Sequence, residues 1–108
     1  MSDPKQGEIW MADLPPPLNR RPVLVLTRSG AIPALYNVTI ATVSSRIRAI
    51  ATEVELTPED GLAERCAVSA DNLLTFPKHY LDDRVCQLSA ERINQVFEAI
   101  HVALDMPF

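Results

Sequence analysis

The run Pro22-Val23-Leu24-Val25-Leu26, entered through Arg20 and Arg21, sets the first limit on what this chain can become. Four aliphatic residues in succession, two of them β-branched, are too few for an independent helix. They read as a strand buried on both faces. Proline has no N–H to give to a sheet ladder, so Pro22 fits only at the start of that strand. Arg20 and Arg21 therefore stand at its mouth, where a fixed positive charge is presented from a rigid base. An isolated Arg-Arg pair is ordinarily a solvated loop feature, and the rest of the chain decides whether this one is more.

The rest of the chain breaks often. Residues 7–14 alternate moderately and predict a first strand, with Trp10 in a core or an interface. Pro15-Pro16-Pro17-Leu18-Asn19 forms a stiff connection to the second. Residues 37–43 are strongly β-prone and run into Ser44-Ser45-Arg46, two hydroxyls and a cation after a strand end. Residues 52–56 predict a fourth strand, followed by turn chemistry at Thr57-Pro58-Glu59-Asp60-Gly61. Two further short strands are expected at 66–69, ending at Ala70-Asp71-Asn72, and at 73–76, stopped by Pro77. Residues 81–88 continue the sheet, with Asp82 and Asp83 on an exposed edge. Ser89 is a good N-cap, and Glu91 suits the first turn of a helix. Ile93, Val96, Phe97, Ile100 and Leu104 follow at helical spacing, predicting one stripe packed on the sheet and an end at Pro107. About seven short strands and one helix describe a mainly β chain with α. The expected fold is a small, strongly curved antiparallel barrel or half-barrel with a C-terminal helix, one domain over residues 1–108.

A chain of 108 residues can build one core without metal or disulfide support. Cys66 and Cys86 have neither a Cys-x-x-Cys spacing nor histidines near them, so reduced thiols in a cytosol are expected. His79 lies in a surface turn and His101 late in the helix, where an imidazolium suits the dipole. No metal-ligand spacing occurs, and three glycines make no phosphate loop. Residues 1–7 are polar and unlike a signal peptide, and no apolar run approaches membrane-spanning length. The net charge of −4 argues against nucleic acid, but its distribution argues the other way. Residues 1–52 hold six Lys and Arg against three Asp and Glu, and residues 53–108 hold four against eleven. Arg20, Arg21, Arg28, Arg46 and Arg48 form the local basic group that phosphate binding requires.

What remains for chemistry is arginine, hydroxyl and one acid. Arg21 opens one strand, Ser44 and Ser45 close another, and Asp71 follows a third, so all can converge at one rim. Arginine grips a phosphate through two parallel hydrogen bonds and neutralises charge developing on it. A nearby hydroxyl binds the same oxygens or steadies the guanidinium. Such a set suits phosphodiester binding or cleavage without a metal or other cofactor.

The chain resembles the MazF/PemK (Kid) family of toxin–antitoxin endoribonucleases. The resemblance rests on Gly7-Glu8-Ile9-Trp10 with Asp13-Leu14, on Arg21-Pro22-Val23-Leu24-Val25, and on Val43-Ser44-Ser45. It continues through Thr52-Glu53-Val54, Asp71-Asn72 and Thr75, and ends in a helix closing near Ala103-Leu104. It implies an SH3-like barrel with a terminal helix. It also implies metal-independent, sequence-specific cutting of single-stranded RNA, in which a ribose 2′-hydroxyl attacks the adjacent phosphorus and leaves a cyclic phosphate and a 5′-hydroxyl. The family's strand-opening arginine matches Arg21 and its hydroxyl matches Ser44, the two catalytic positions. RNA-binding positions fall on Arg20, Ser45, Arg46, Asp71, Asn72 and Thr75. The resemblance further implies a cytoplasmic homodimer and a MazE-like antitoxin whose acidic, disordered C-terminal tail covers the basic rim. Three departures stand out. Asn19-Arg20 occupy the place of a glycine after a shortened loop, Ser69 takes the place of a second arginine found in some members, and Cys86 that of a glycine. Two other readings are a CcdB-type toxin that binds gyrase and an inactive RNA-binding module. The first depends on a C-terminal tryptophan, whereas this chain ends Asp105-Met106-Pro107-Phe108. The only hint of the second is Ser69.

Overall fold

The computed structural model describes residues 3–107. Six strands and one helix follow in order: β1 Glu8–Asp13, β2 Arg20–Val25, β3 Asn37–Ser44, β4 Glu53–Leu56, β5 Cys66–Pro77, β6 Leu81–Gln87 and α1 Ala90–Ala103. Short 3-10 turns occupy Ile32–Ala34, Pro58–Asp60 and Lys78–Tyr80. The strands form one antiparallel sheet in the order β4-β5-β3-β2-β1-β6, curled into a half-barrel with the helix against it. Among the described residues no helix is long and apolar enough to cross a membrane.

Alternation divides the side chains between two cores. Ile9, Leu24, Ala41, Val43, Val54 and Val68 meet Val96, Ala99 and Ile100 of the helix on one face. Trp10, Ala12, Val23, Val25, Val38 and Ile40 fill the other. Val23, Leu24 and Val25 are almost fully buried, as the apolar run requires. Trp10 is buried within the chain, so it is a core residue and not part of an exposed interface.

The two short strands expected at 66–69 and 73–76 are one. β5 runs through Ala70-Asp71-Asn72 and absorbs them as an irregularity in its pairing with β3, where Leu73 faces Ala41 and Ser69 faces Thr42. Extra residues in one strand bend it and increase its twist, which helps curl the sheet. β6 lies at the sheet edge, with Asp82 and Asp83 exposed.

In the helix, the Ser89 hydroxyl accepts from the Arg92 N–H at 3.2 Å, the cap its sequence promised. The buried face differs from expectation. Val96, Ala99 and Ile100 pack on the sheet, whereas Phe97 and Leu104 are 40% and 56% exposed. Alanines at 99 and 103 occupy that face and turn Phe97 and Leu104 to its flank. The helix stops before Pro107, because Asp105 takes the left-handed conformation at φ 50°.

Gly7 explains the start of the first motif. It adopts φ 88°, and a Cβ there would meet Ile93 of the helix and approach Gln87 Nε2 at 2.7 Å. Its N–H donates to Val25 O and its carbonyl accepts from Leu88 N–H, both at 2.9 Å. Glu8 beside it is buried. Its carboxylate accepts from Trp10 Nε1 at 3.0 Å, the Lys5 N–H at 2.7 Å and Arg84 Nε at 2.6 Å. Burial alone would push this carboxyl up; the hydrogen bonds from Arg84, Trp10 and Lys5 outweigh it and hold the pKa below its ordinary value.

Candidate active site

The loop before β2 aims the two arginines. Asn19 takes the left-handed region at φ 58°, where asparagine is among the few residues besides glycine that sit readily. A glycine would adopt that conformation equally well. The Asn19 carbonyl accepts from Leu14 N–H at 3.2 Å, closing the turn.

The residues that follow diverge, because neighbours in a strand face opposite ways. Arg21 sits opposite Ala12, on the Trp10 and Val23 face. It is half-buried, and its Nε donates to Leu18 O at 2.9 Å. This bond fixes the guanidinium at one edge. Among the described residues no partner engages its terminal nitrogens. Arg20 faces the other way, and its Nη1 reaches Asp82 on β6 at 2.6 Å. Hydrogen bonding to Asp82 raises the Arg20 pKa, and the same bond lowers that of Asp82. The basic rim expected from Arg20 and Arg21 together is thus partly neutralised, and Arg21 is its open member.

Ser44 closes β3. Val23 of β2 faces Thr42 of β3. Continuing that register by two residues sets Arg21 level with Ser44. The Ser44 hydroxyl accepts from the Arg46 N–H at 3.1 Å, which starts the exposed loop holding Ser45 and Arg46. The structure therefore brings Arg21 and Ser44 to one end of adjacent strands, with Arg46 beyond.

Asp71 and Asn72 project from the irregularity in β5. Asp71 Oδ2 accepts from Thr52 Oγ1 at 2.5 Å, and Asn72 Nδ2 donates to Ser69 Oγ at 3.1 Å. The partner of Asp71 is thus Thr52, not the arginine. Ser69 and Thr42 are buried polar residues of the same row, which runs Trp10, Val23, Thr42, Ser69, Glu53 across the sheet. That row is two residues from Arg21 along β2, so Asp71 and Asn72 form a polar shelf beside the rim without touching it.

Thr75 does not join this group. It faces Thr39, and their hydroxyls bond at 2.7 Å. Thr39 precedes Ser44 by five residues, about 17 Å at the rise of a strand. Thr75 instead lines a separate polar groove with Arg28, Gln6 and Asn37. The registers that separate it from Ser44 depend on pairing, which single-strand spacing does not report.

Three residues of consequence have no assigned role in the sequence. Glu8 belongs to the first motif, but nothing local predicts its burial. Thr52 is recognisable only through Asp71. Glu64 stands on the loop before β5, at a cavity of about 280 Å³ beside Ser44. Cys66 and Cys86 are free thiols, each with its pKa pushed up by burial. His79 is exposed against Tyr80 and Tyr36, with ring centroids at 4.9 and 5.9 Å. Among the described residues no three His, Cys, Asp or Glu side chains gather as a metal site.

With this geometry in view, the likenesses to known proteins are specific. Residues 5–104 match the family described as PemK-like, MazF-like toxin of type II toxin–antitoxin system. The chain is 35% identical over 103 residues to the probable endoribonuclease MazF5 of Mycobacterium tuberculosis, covering 94% of each. Its fold superposes on the Mycobacterium tuberculosis toxin MazF-mt6 with a TM-score of 0.86 at 37% identity, covering 94% of this chain and 99% of that one. A mycobacterial endoribonuclease solved in complex with its cognate antitoxin also gives 0.86, at 26% identity, covering 97% and 98%.

Proposed function

This chain belongs to the family of PemK-like, MazF-like toxins of type II toxin–antitoxin systems, and from that premise we propose that it is a cytoplasmic endoribonuclease that cuts single-stranded RNA at specific sequences without a metal. The observation that carries the reading is Arg21: held at Nε by a backbone carbonyl, open at its terminal nitrogens, and level with the Ser44 hydroxyl. Attack by a ribose 2′-hydroxyl on the adjacent phosphorus, displacing the 5′-oxygen, needs a base or solvent water to take the hydroxyl proton, charge stabilisation on the phosphorane, and a proton for the departing 5′-oxygen. In this reading Arg21 stabilises the equatorial oxygens and hands over that last proton. Ser44 hydrogen-bonds the phosphate. Ser45, Arg46, Asp71 and Asn72 hold the flanking nucleotides, and Thr75 with Arg28 meets RNA further along. Arg20 contributes charge to the phosphate path once it leaves Asp82.

Two copies form the working unit, a reading supported by the exposed Phe97 and Val102 of α1 and by Leu104 at its C-cap. An antitoxin with an acidic, disordered tail folds over the Arg21 and Ser44 rim, as suits a basic patch that must be shielded from RNA.

One experiment tests the whole reading. Purified protein is incubated with mixed RNA in EDTA and the new 5′ ends are mapped, with sedimentation run on the same sample. The expected result is dimeric protein, cutting at a short recurring sequence, 5′-hydroxyl ends, and no cutting of an oligonucleotide with a 2′-deoxy residue at the site. An acidic tail peptide should suppress the cutting. Loss of activity in EDTA, or cleavage of the deoxy substrate, overturns the chemistry.

A further inference from the structure

The cavity beside Ser44 has no role in the chemistry described so far. It lies under the sheet face opposite Arg21, walled by Met11, Pro22, Val43 and Cys66, and its mouth carries Ser44 and Glu64. Met11 and Pro22 are paired across β1 and β2, so their side chains form a continuous apolar wall. Pro22 directly follows Arg21, and Val43 directly precedes Ser44. A phosphate held at the strand ends by Arg21 and Ser44 therefore has this slot on the other side of the same edge.

Glu64 makes the slot informative. It is exposed, and among the described residues no hydrogen bond or ion pair engages its carboxylate. An unpaired anion at a phosphate-binding rim repels the backbone of the RNA. It repels an acidic antitoxin tail as well. It is favourable toward a group that is apolar on its faces and donates hydrogen bonds at its edge. A nucleobase turned out of a single strand has that character, and proteins read such bases along the Watson–Crick edge.

We propose that this cavity receives the base next to the scissile phosphate, and that Glu64 reads its edge, selecting a base with an amino group over uracil. The inference rests on the ribonuclease reading above and names part of its sequence specificity. Cytosine, adenine and guanine each offer amino hydrogens to a carboxylate. Uracil offers one N–H between two carbonyl oxygens, which repel it. The apolar walls accept any base, and the discrimination falls to Glu64.

The test uses the full chain and oligoribonucleotides carrying each of the four bases at both positions flanking the mapped cut. Cleavage rates are measured for the unaltered protein, Glu64→Ala, Glu64→Gln and the control Glu59→Gln. The control removes a charge from the preceding turn, Pro58–Asp60, and does not line the cavity. Binding of the same oligonucleotides with a 2′-deoxy residue at the cut gives a second ranking without cleavage. At one of the two positions, amino-bearing bases should be preferred to uracil by on the order of 10- to 100-fold. Glu64→Ala should erase most of that ratio, Glu64→Gln should shift it toward uracil, and Glu59→Gln should keep it. An unchanged ranking in both Glu64 variants, with cutting intact, overturns the inference alone. Unchanged ranking with altered inhibition by an acidic tail peptide assigns the cavity to the protein partner and also overturns it. A wild-type protein that neither cuts nor binds RNA removes the ribonuclease reading, and this inference falls with it.

Discussion

Two arginines show how differently one chain uses the same side chain. Arg84 reaches across from β6 to Glu8, which is buried and also holds the Trp10 indole and the Lys5 amide. Every oxygen of that carboxylate is engaged, and the network ties β6, β1 and the N-terminal turn together. Arg21, also beside β1, has one hydrogen bond, to a backbone carbonyl that takes no charge from it. A carboxylate partner satisfies an arginine and closes it to ligands. A carbonyl partner orients it and leaves its charge for something else. The difference separates a cation bound into the architecture from one left open to a ligand, and Arg20, paired with Asp82 at the surface, lies between them.

The largest effect that sharpens this contrast is expected at Arg21. Arg21→Ala should lower cleavage by on the order of 100- to 1000-fold while the melting temperature stays close to wild type. Arg21→Lys should do nearly as badly, because a point charge cannot reproduce the guanidinium fork. Ser44→Ala should cost roughly 100-fold and Ser44→Thr much less, since the threonine keeps the hydroxyl. Single-turnover assays beside thermal melts separate these outcomes from unfolding.

Glu8→Ala should show the opposite profile. It leaves the Trp10 N–H buried without an acceptor, at a cost of about 1–3 kcal/mol, with cleavage per folded molecule little changed. The pH dependence follows from the lowered pKa of Glu8 in the folded chain. Its stabilising contribution is complete above the ordinary carboxylate range and is lost as pH falls through the folded value. Asp60 acts in the same direction: burial raises its pKa, but bonds from the Thr57 amide and Arg92 outweigh this and lower it. Acid melts of Glu8→Ala should therefore lose stability less steeply than wild type below about pH 4. Equal slopes would erase the distinction drawn here. The smallest effect belongs to Asp82→Asn. Exposed pairs contribute little to stability, so melting should not change measurably. Freed Arg20 should instead tighten RNA binding by a few-fold at low salt, an effect that fades as salt screens it.

Much of this was legible in the residues because its causes are local. Alternation located β1 and β4, the unbroken apolar run β2 and β-propensity β3, each within about two residues, and Ser89 located the helix start. Pro22 after two arginines placed Arg21 at a strand mouth, and the β-prone run ending at Ser44 did the same for the hydroxyl. What escaped depends on partners far along the chain. The irregularity at Ala70-Asp71-Asn72 looks like a break until β3 is laid beside it. Phe97 fits the helical stripe as well as Ala99 does, and only the sheet selects the alanine. Arg20 meets Asp82 across 62 positions. The family resemblance groups Thr75 with the residues around Ser44, whereas its pairing with Thr39 sends it down the sheet.

The strand order carries a consequence for how the molecule comes into being. β1 is made first and can find β2 soon after, yet its other edge belongs to β6, the last strand synthesised. Gly7 is covered only when Ile93 arrives with the helix. Contacts between the two ends of a chain are the slowest to form, and domains emerge from the ribosome N-terminus first. A half-built chain therefore presents an open β1 edge and an unsupported β2, with Arg21 on a strand that has no fixed position. The Arg21 and Ser44 rim is assembled from early residues, but its rigidity is delivered by late ones, so it is set only once β6 and the helix have been made.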